Sequence, residues 1–138
     1  MIVAPLALVS AQPVLARGAV LVYGAGGLVC HQRPERSFHI HGRQLAVCAR
    51  CTGLYMSALA GGFLALLLGA IAVPPSRARL WLAIAALPTI VTVGLELAAL
   101  AYPSNTIRML SALPLGAVAA WLVITTIVSH RRLSLQHE

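Results

Sequence analysis

The three cysteines of this chain, Cys30, Cys48 and Cys51, lie in one polar stretch, CHQRPERSFHIHGRQLAVCARCTGLY, together with His31, His39 and His41 and with Arg33, Arg36, Arg43 and Arg50. Cys48-Ala49-Arg50-Cys51 is a CxxC, a spacing that lets two thiolates reach one ion. Cys30 and an imidazole would complete the tetrahedral Cys3His set that zinc favours. The imidazole could come from His31, beside Cys30, or from His39 and His41, which point to one side if the loop is extended there. The same residues permit thiol–disulfide exchange, because a thiol beside Arg50 should have a lowered pKa and Cys30 could resolve a mixed disulfide. Three cysteines incidental to helix ends would be the inert alternative, and their falling on one face argues against it. His130 and His137 read as interfacial tail residues with no role.

The elements that must position these groups are membrane helices. Hydrophobic residues make up 59% of the chain and charged residues 9%, with mean hydropathy +0.88. A soluble domain carries about a quarter charged residues, so this composition cannot cover a globular surface. The chain is expected to be an integral membrane protein, and its 138 residues leave room for about four spans at ~20 residues each. The expected architecture is a single all-α transmembrane domain, residues 1–138, a four-helix bundle with the Cys/His-rich loop between helices 1 and 2. The spans are expected at about 13–29, 52–73, 80–101 and 107–128. Pro13 suits an early position of the first, while Pro74 and Pro75 should close the second. Ala58, Ala60, Gly61, Gly62, Gly69 and Ala70 would let the second span approach a neighbour closely. Trp81 and Tyr102 fit an interfacial belt around the third, which Pro88 should kink. Residues 1–12 should extend the first helix or lie at the interface, in preference to forming a cleaved signal peptide.

Every basic residue is an arginine, and the formal net charge of +7 is scattered over the chain. Without a continuous basic stripe, nucleic-acid binding is not expected. The expected partners are the lipid bilayer and an anionic lipid or a larger membrane complex. Four spans would put the Cys/His loop and the Ser104–Arg108 loop on one face. Arg17, Arg77, Arg79, Arg131 and Arg132 would lie on the other, which places both termini in the cytoplasm if the motif arginines do not set orientation. The expected location is thus the cell membrane, multi-pass.

Glu96 is an acid near the end of the third span, where it should be paired or protonated. Arg108 is its expected partner, with Arg36 and Arg50 as others. Such a pair could be a clasp between helices, or Glu96 could act as a catalytic general base beside a metal-bound water. Asn105 could cap the fourth span or contact a ligand.

Cys30-His31-Gln32, Pro34-Glu35-Arg36-Ser37, Gly42-Arg43-Gln44-Leu45 and the run Cys48 to Tyr55 closely resemble the domain of unknown function 2085 family of small bacterial and archaeal membrane proteins. Ser104-Asn105-Thr106-Ile107-Arg108 and Gly116 are similar to its second motif. The resemblance covers nearly the whole chain. It implies His31 as the imidazole, since the positions of His39 and His41 are commonly aromatic or apolar in the family. In the third span the chain departs from the family's acidic-Gly pair and Gln, carrying Thr92, Val93, Gly94 and Glu96. The resemblance implies an architecture and a site, and no reaction.

Three function classes follow from these readings. The metal set Cys30, His31, Cys48 and Cys51 could be a structural zinc site, with Arg36, Arg43, Arg50, Asn105 and Arg108 binding an anionic partner or lipid headgroup. The site could instead be enzymatic, by metal-assisted hydrolysis with Glu96 as base or by thiol–disulfide exchange through Cys48 and Cys51. Or the protein could be an accessory subunit of a larger membrane complex.

Overall fold

The structure is a computed structural model that describes residues 13–68 and 73–135. It divides into two compact units, Met1–Thr52 and Gly53–Glu138. The expectations for residues 1–12, for Gly69 and Ala70, and for His137 lie outside the described residues.

Within the described residues the first unit opens with helix α1, Pro13–Val29, over the span expected at 13–29. Cys30 prolongs its hydrogen-bonding, its N–H donating to the Gly26 carbonyl at 2.9 Å. The chain then reverses through Gln32, at φ 46°, and extends at Arg33, as a residue before proline must. Pro34–Arg36 form a 3-10 turn closed by Ser37, whose hydroxyl donates to the Arg33 carbonyl at 2.9 Å. A short hairpin follows, β1 His39–Ile40 and β2 Arg43–Gln44, antiparallel with Ile40 opposite Arg43. Its tip, His41-Gly42, has φ of 51° and 74°, the paired positive values of the type I′ turn that matches strand twist. His41 is therefore part of the turn and not of the strand, so the alternation that would align it with His39 ends before it. Leu45, Ala46 and Val47 are buried and lead into Cys48 and helix α2, Ala49–Leu68.

In the second unit α2 continues from Gly53, followed by α3, Pro75–Leu97, and α4, Asn105–Leu135. Pro74 caps α3 and Pro75 occupies its first turn. The prolines thus open the third helix five residues earlier than expected, because proline's missing N–H costs nothing at a helix start. α4 likewise begins before the expected residue 107. Its cap is Ser104, whose hydroxyl accepts from the Ile107 N–H at 3.4 Å and whose carbonyl accepts from Arg108 N–H at 3.0 Å. Asn105, expected as the cap, is the first helical residue and bonds elsewhere.

Small residues join α2 to α4. Gly53 lies against the Met109 backbone, Gly61 against Ala117, and Gly116 against Leu54 and Ser57, positions where a Cβ would collide with backbone or with the Ser57 hydroxyl. Close approach of this kind drives helix association in lipid, where apolar burial gives no preference for protein over acyl chains. α3 meets α4 through polar groups: the Thr89 hydroxyl donates to the Ser111 carbonyl at 2.8 Å and the Thr92 hydroxyl to Ser111 Oγ at 3.2 Å. α3 ends in a Schellman arrangement, with Ala99 N–H donating to Glu96 O at 3.2 Å and Leu100 N–H to Leu95 O at 3.0 Å. Ala99 takes the left-handed position, φ 55°, that glycine usually fills.

Among the described residues, three helices are long and apolar enough to cross a membrane: Ala49–Leu68, Pro75–Leu97 and the stretch Asn105–Arg131 of α4. The apolar part of α1, Arg17–Val29, is shorter. Leu80, Ile84, Leu87, Val91 and Leu95 form an exposed apolar stripe down α3. Such a stripe would be a liability in water and is the expected surface toward lipid. The protein is a helical membrane protein with four α-helices among the described residues, the Cys/His-rich loop and its short hairpin lying between α1 and α2.

Candidate metal centre

The first unit brings Cys30, Cys48 and Cys51 together, with their three sulphurs within 4.8 Å of one another. Cys30 is buried at the end of α1, Cys48 stands just before α2, and Cys51 lies in the first turn of α2. None is in a disulfide. The Cys48 backbone N–H donates to Cys30 Sγ at 3.2 Å, which stabilises negative charge on that sulphur. Cys48 sits at a helix N-terminus, where orphan N–H groups favour a thiolate. The Cys51 thiol donates to Cys48 and lowers the Cys48 thiol to about 5, against the opposing effect of burial, with further help from the Cys51 amide, the Cys30 side chain and the Arg50 amide.

Two glutamines hold the loop in this shape. Gln32 Nε2 donates to the Tyr23 carbonyl at 2.8 Å and to the Ala46 carbonyl at 2.7 Å, tying α1 to the segment that leads into Cys48. Gln44 Nε2 donates to the Gln32 carbonyl and to Ser37 Oγ, and the Tyr23 hydroxyl donates to the Gln44 carbonyl. Gly26 makes this approach possible, since a Cβ there would collide with the Ala46 carbonyl and the Gln32 amide.

The second unit holds a different cluster. Arg108 Nε donates to Glu96 Oε1 at 2.7 Å, with 9% and 5% of the two side chains exposed. Arg108 Nη1 donates to Asn105 Oδ1 at 2.9 Å. The expected Glu96–Arg108 pairing is thus present, joining α3 to α4.

A family described as a predicted membrane protein, DUF2085, matches residues 30–122. The chain belongs to this family. A relative from Methanothermobacter thermautotrophicus is 33% identical over 103 residues, 74% of this chain and 88% of that protein. Another, from Methanocaldococcus jannaschii, is 49% identical over 43 residues, 31% of this chain. The chain spans 28% of the length of that second protein. Both carry names that state no function. No solved structure matches.

In this DUF2085 chain the metal-ligating atoms that gather are the three sulphurs. His31, His39 and His41 are exposed, and no imidazole or carboxylate among the described residues belongs to the group. Arg36, in the 3-10 turn, and Arg50, in the first turn of α2, are half-buried, while Arg43 on β2 is exposed. Asn105 and Arg108 stand together with Glu96. Sequence reasoning gave no role to Gln32, Gln44 or Tyr23. The signal available was the glutamine directly after Cys30-His31, a side chain with two donors in a loop whose backbone carbonyls needed partners.

Proposed function

We propose that the protein binds one thiophilic metal ion, zinc, on the thiolates of Cys30, Cys48 and Cys51 at a membrane surface, and that the ion fastens the Cys/His loop. The gathering of three sulphurs within 4.8 Å carries this reading. Zinc–sulphur bonds of about 2.3 Å at tetrahedral angles set sulphurs roughly 3.8 Å apart, so small side-chain rotations bring the set to coordination distance. The donated N–H on Cys30 and the depressed Cys48 thiol are what a thiolate site requires. His31, next to Cys30, takes the fourth position. Arg36, Arg43 and Arg50 receive an anionic partner or lipid headgroup, with both termini cytoplasmic and the loop outside. Glu96, bonded to Arg108, serves as the acidic half of a clasp between helices and not as a free base.

Metal analysis with thiol titration of detergent-purified protein tests the reading. About one zinc per chain is expected, with Cys48→Ser losing it and His31→Ala weakening it. Metal-free protein with a Cys48–Cys51 disulfide would sink the zinc reading. It would favour the second one, thiol–disulfide exchange, which the Cys51-to-Cys48 hydrogen bond and the lowered Cys48 thiol support on their own.

A further inference from the structure

In the second unit, apart from the Glu96–Arg108 pair, α2, α3 and α4 enclose a groove of about 210 Å³ lined by Gly61, Leu64, Trp81, Ala117, Val118 and Trp121. Every lining residue is apolar. Its floor is the close Gly61–Ala117 contact, and its rim is open, with Leu64 47% and Trp81 44% exposed. The groove holds both tryptophans of the chain. It is too small for a whole lipid and large enough for a stretch of one acyl chain.

Charge supplies the other half of the argument. Arg77 precedes Trp81 by four residues, about one turn, and so shares its side of α3, while Arg79, two residues before Trp81, stands on the opposite side; both are exposed. On α2, α3 and α4 the acidic residue among the described residues is Glu96, about 22 Å further along α3 at 1.5 Å per residue. The groove therefore runs from an apolar slot to the Arg77 guanidinium, and the described residues of α2, α3 and α4 place no carboxylate at that level. A second copy inserted in the same direction would bring residues of equal depth together, arginine against arginine, and so does not suit this end. We infer that the groove seats one acyl chain of an anionic phospholipid whose phosphate lies against Arg77.

The test uses the intrinsic fluorescence of Trp81 and Trp121 in full-length protein reconstituted into phosphatidylcholine vesicles. A minor fraction of brominated-chain lipid is added, either as phosphatidylglycerol or as phosphatidylcholine. Local enrichment predicts at least about two-fold stronger quenching by the anionic lipid. The preference should vanish in Arg77→Gln and persist in Arg79→Gln, and Val118→Phe, which fills the slot without adding an indole, should reduce quenching by both lipids. Equal quenching of the wild type by the two lipids, a comparison that needs no variant, would overturn the inference. So would an anionic preference that survives loss of Arg77, or weak quenching by both lipids together with a cross-linked dimer through the groove.

Discussion

At the scale of single residues, the distinguishing feature is a thiol held near its anionic form by another thiol. Since the Cys48 pKa lies at about 5, its sulphur is a thiolate above that pH and a poor nucleophile below it. In metal-free, reduced protein, alkylation of Cys48 should stay fast down to about pH 6, where an ordinary thiol with pKa ~8.5 has almost stopped reacting. Peptide mass mapping after timed iodoacetamide treatment reads the rate; a Cys48 profile with a midpoint near an ordinary thiol's would contradict the hydrogen-bonded pair. Gln32 makes a second prediction at this scale. Gln32→Leu leaves the Tyr23 and Ala46 carbonyls without their donor, at a cost of about 1–3 kcal/mol, and should loosen the loop. Faster proteolysis between residues 33 and 44 is the expected readout. The cysteines were legible in the sequence because CxxC has few other uses. Gln32 was not, because a glutamine's value lies in which carbonyls fold within its reach, and that depends on the hairpin and on Gly26.

At the scale of elements, the helices were readable as apolar runs, and the punctuation between them was not. Pro74 and Pro75 end one run and begin another, and sequence alone does not say which helix they serve; their place at the head of α3 shows the second use. Ser104 and Asn105 are both good caps, and the backbone chose the serine. The Glu96–Arg108 bond was legible because an acid inside an apolar helix needs a partner at matching depth. Removing one partner of so buried a pair should cost about 3–5 kcal/mol. Glu96→Leu and Arg108→Met should therefore each destabilise the protein in denaturant titrations, while Glu96→Gln with Arg108→Met recovers much of the loss. Single variants as stable as the wild type would show that the bond contributes nothing.

At the scale of the whole molecule, family membership and three candidate spans establish a membrane protein, and the direction of insertion becomes the leading question. With Arg17, Arg77, Arg79, Arg131 and Arg132 retained inside, a cysteine-free variant with a new cysteine at Gly42 should react with an impermeant maleimide on intact cells. One at Ser134 should not. Gly42 is exposed at the hairpin tip with open space for a thiol, at the cost of the strain that a side chain meets at its φ of 74°. The reverse pattern would put the thiols in a reducing compartment, which weakens the disulfide alternative and leaves metal binding untouched.

The joint after α3 carries one further consequence. Ala99 holds a left-handed backbone conformation that disfavours any residue with a Cβ, at about 1–2 kcal/mol. Deleting a single methyl group there, Ala99→Gly, should raise the melting temperature even though glycine lowers stability at most other places in a helical protein. The chain thus retains an improvement within reach of one substitution, as expected where selection has required only adequate stability and has never rewarded the maximum.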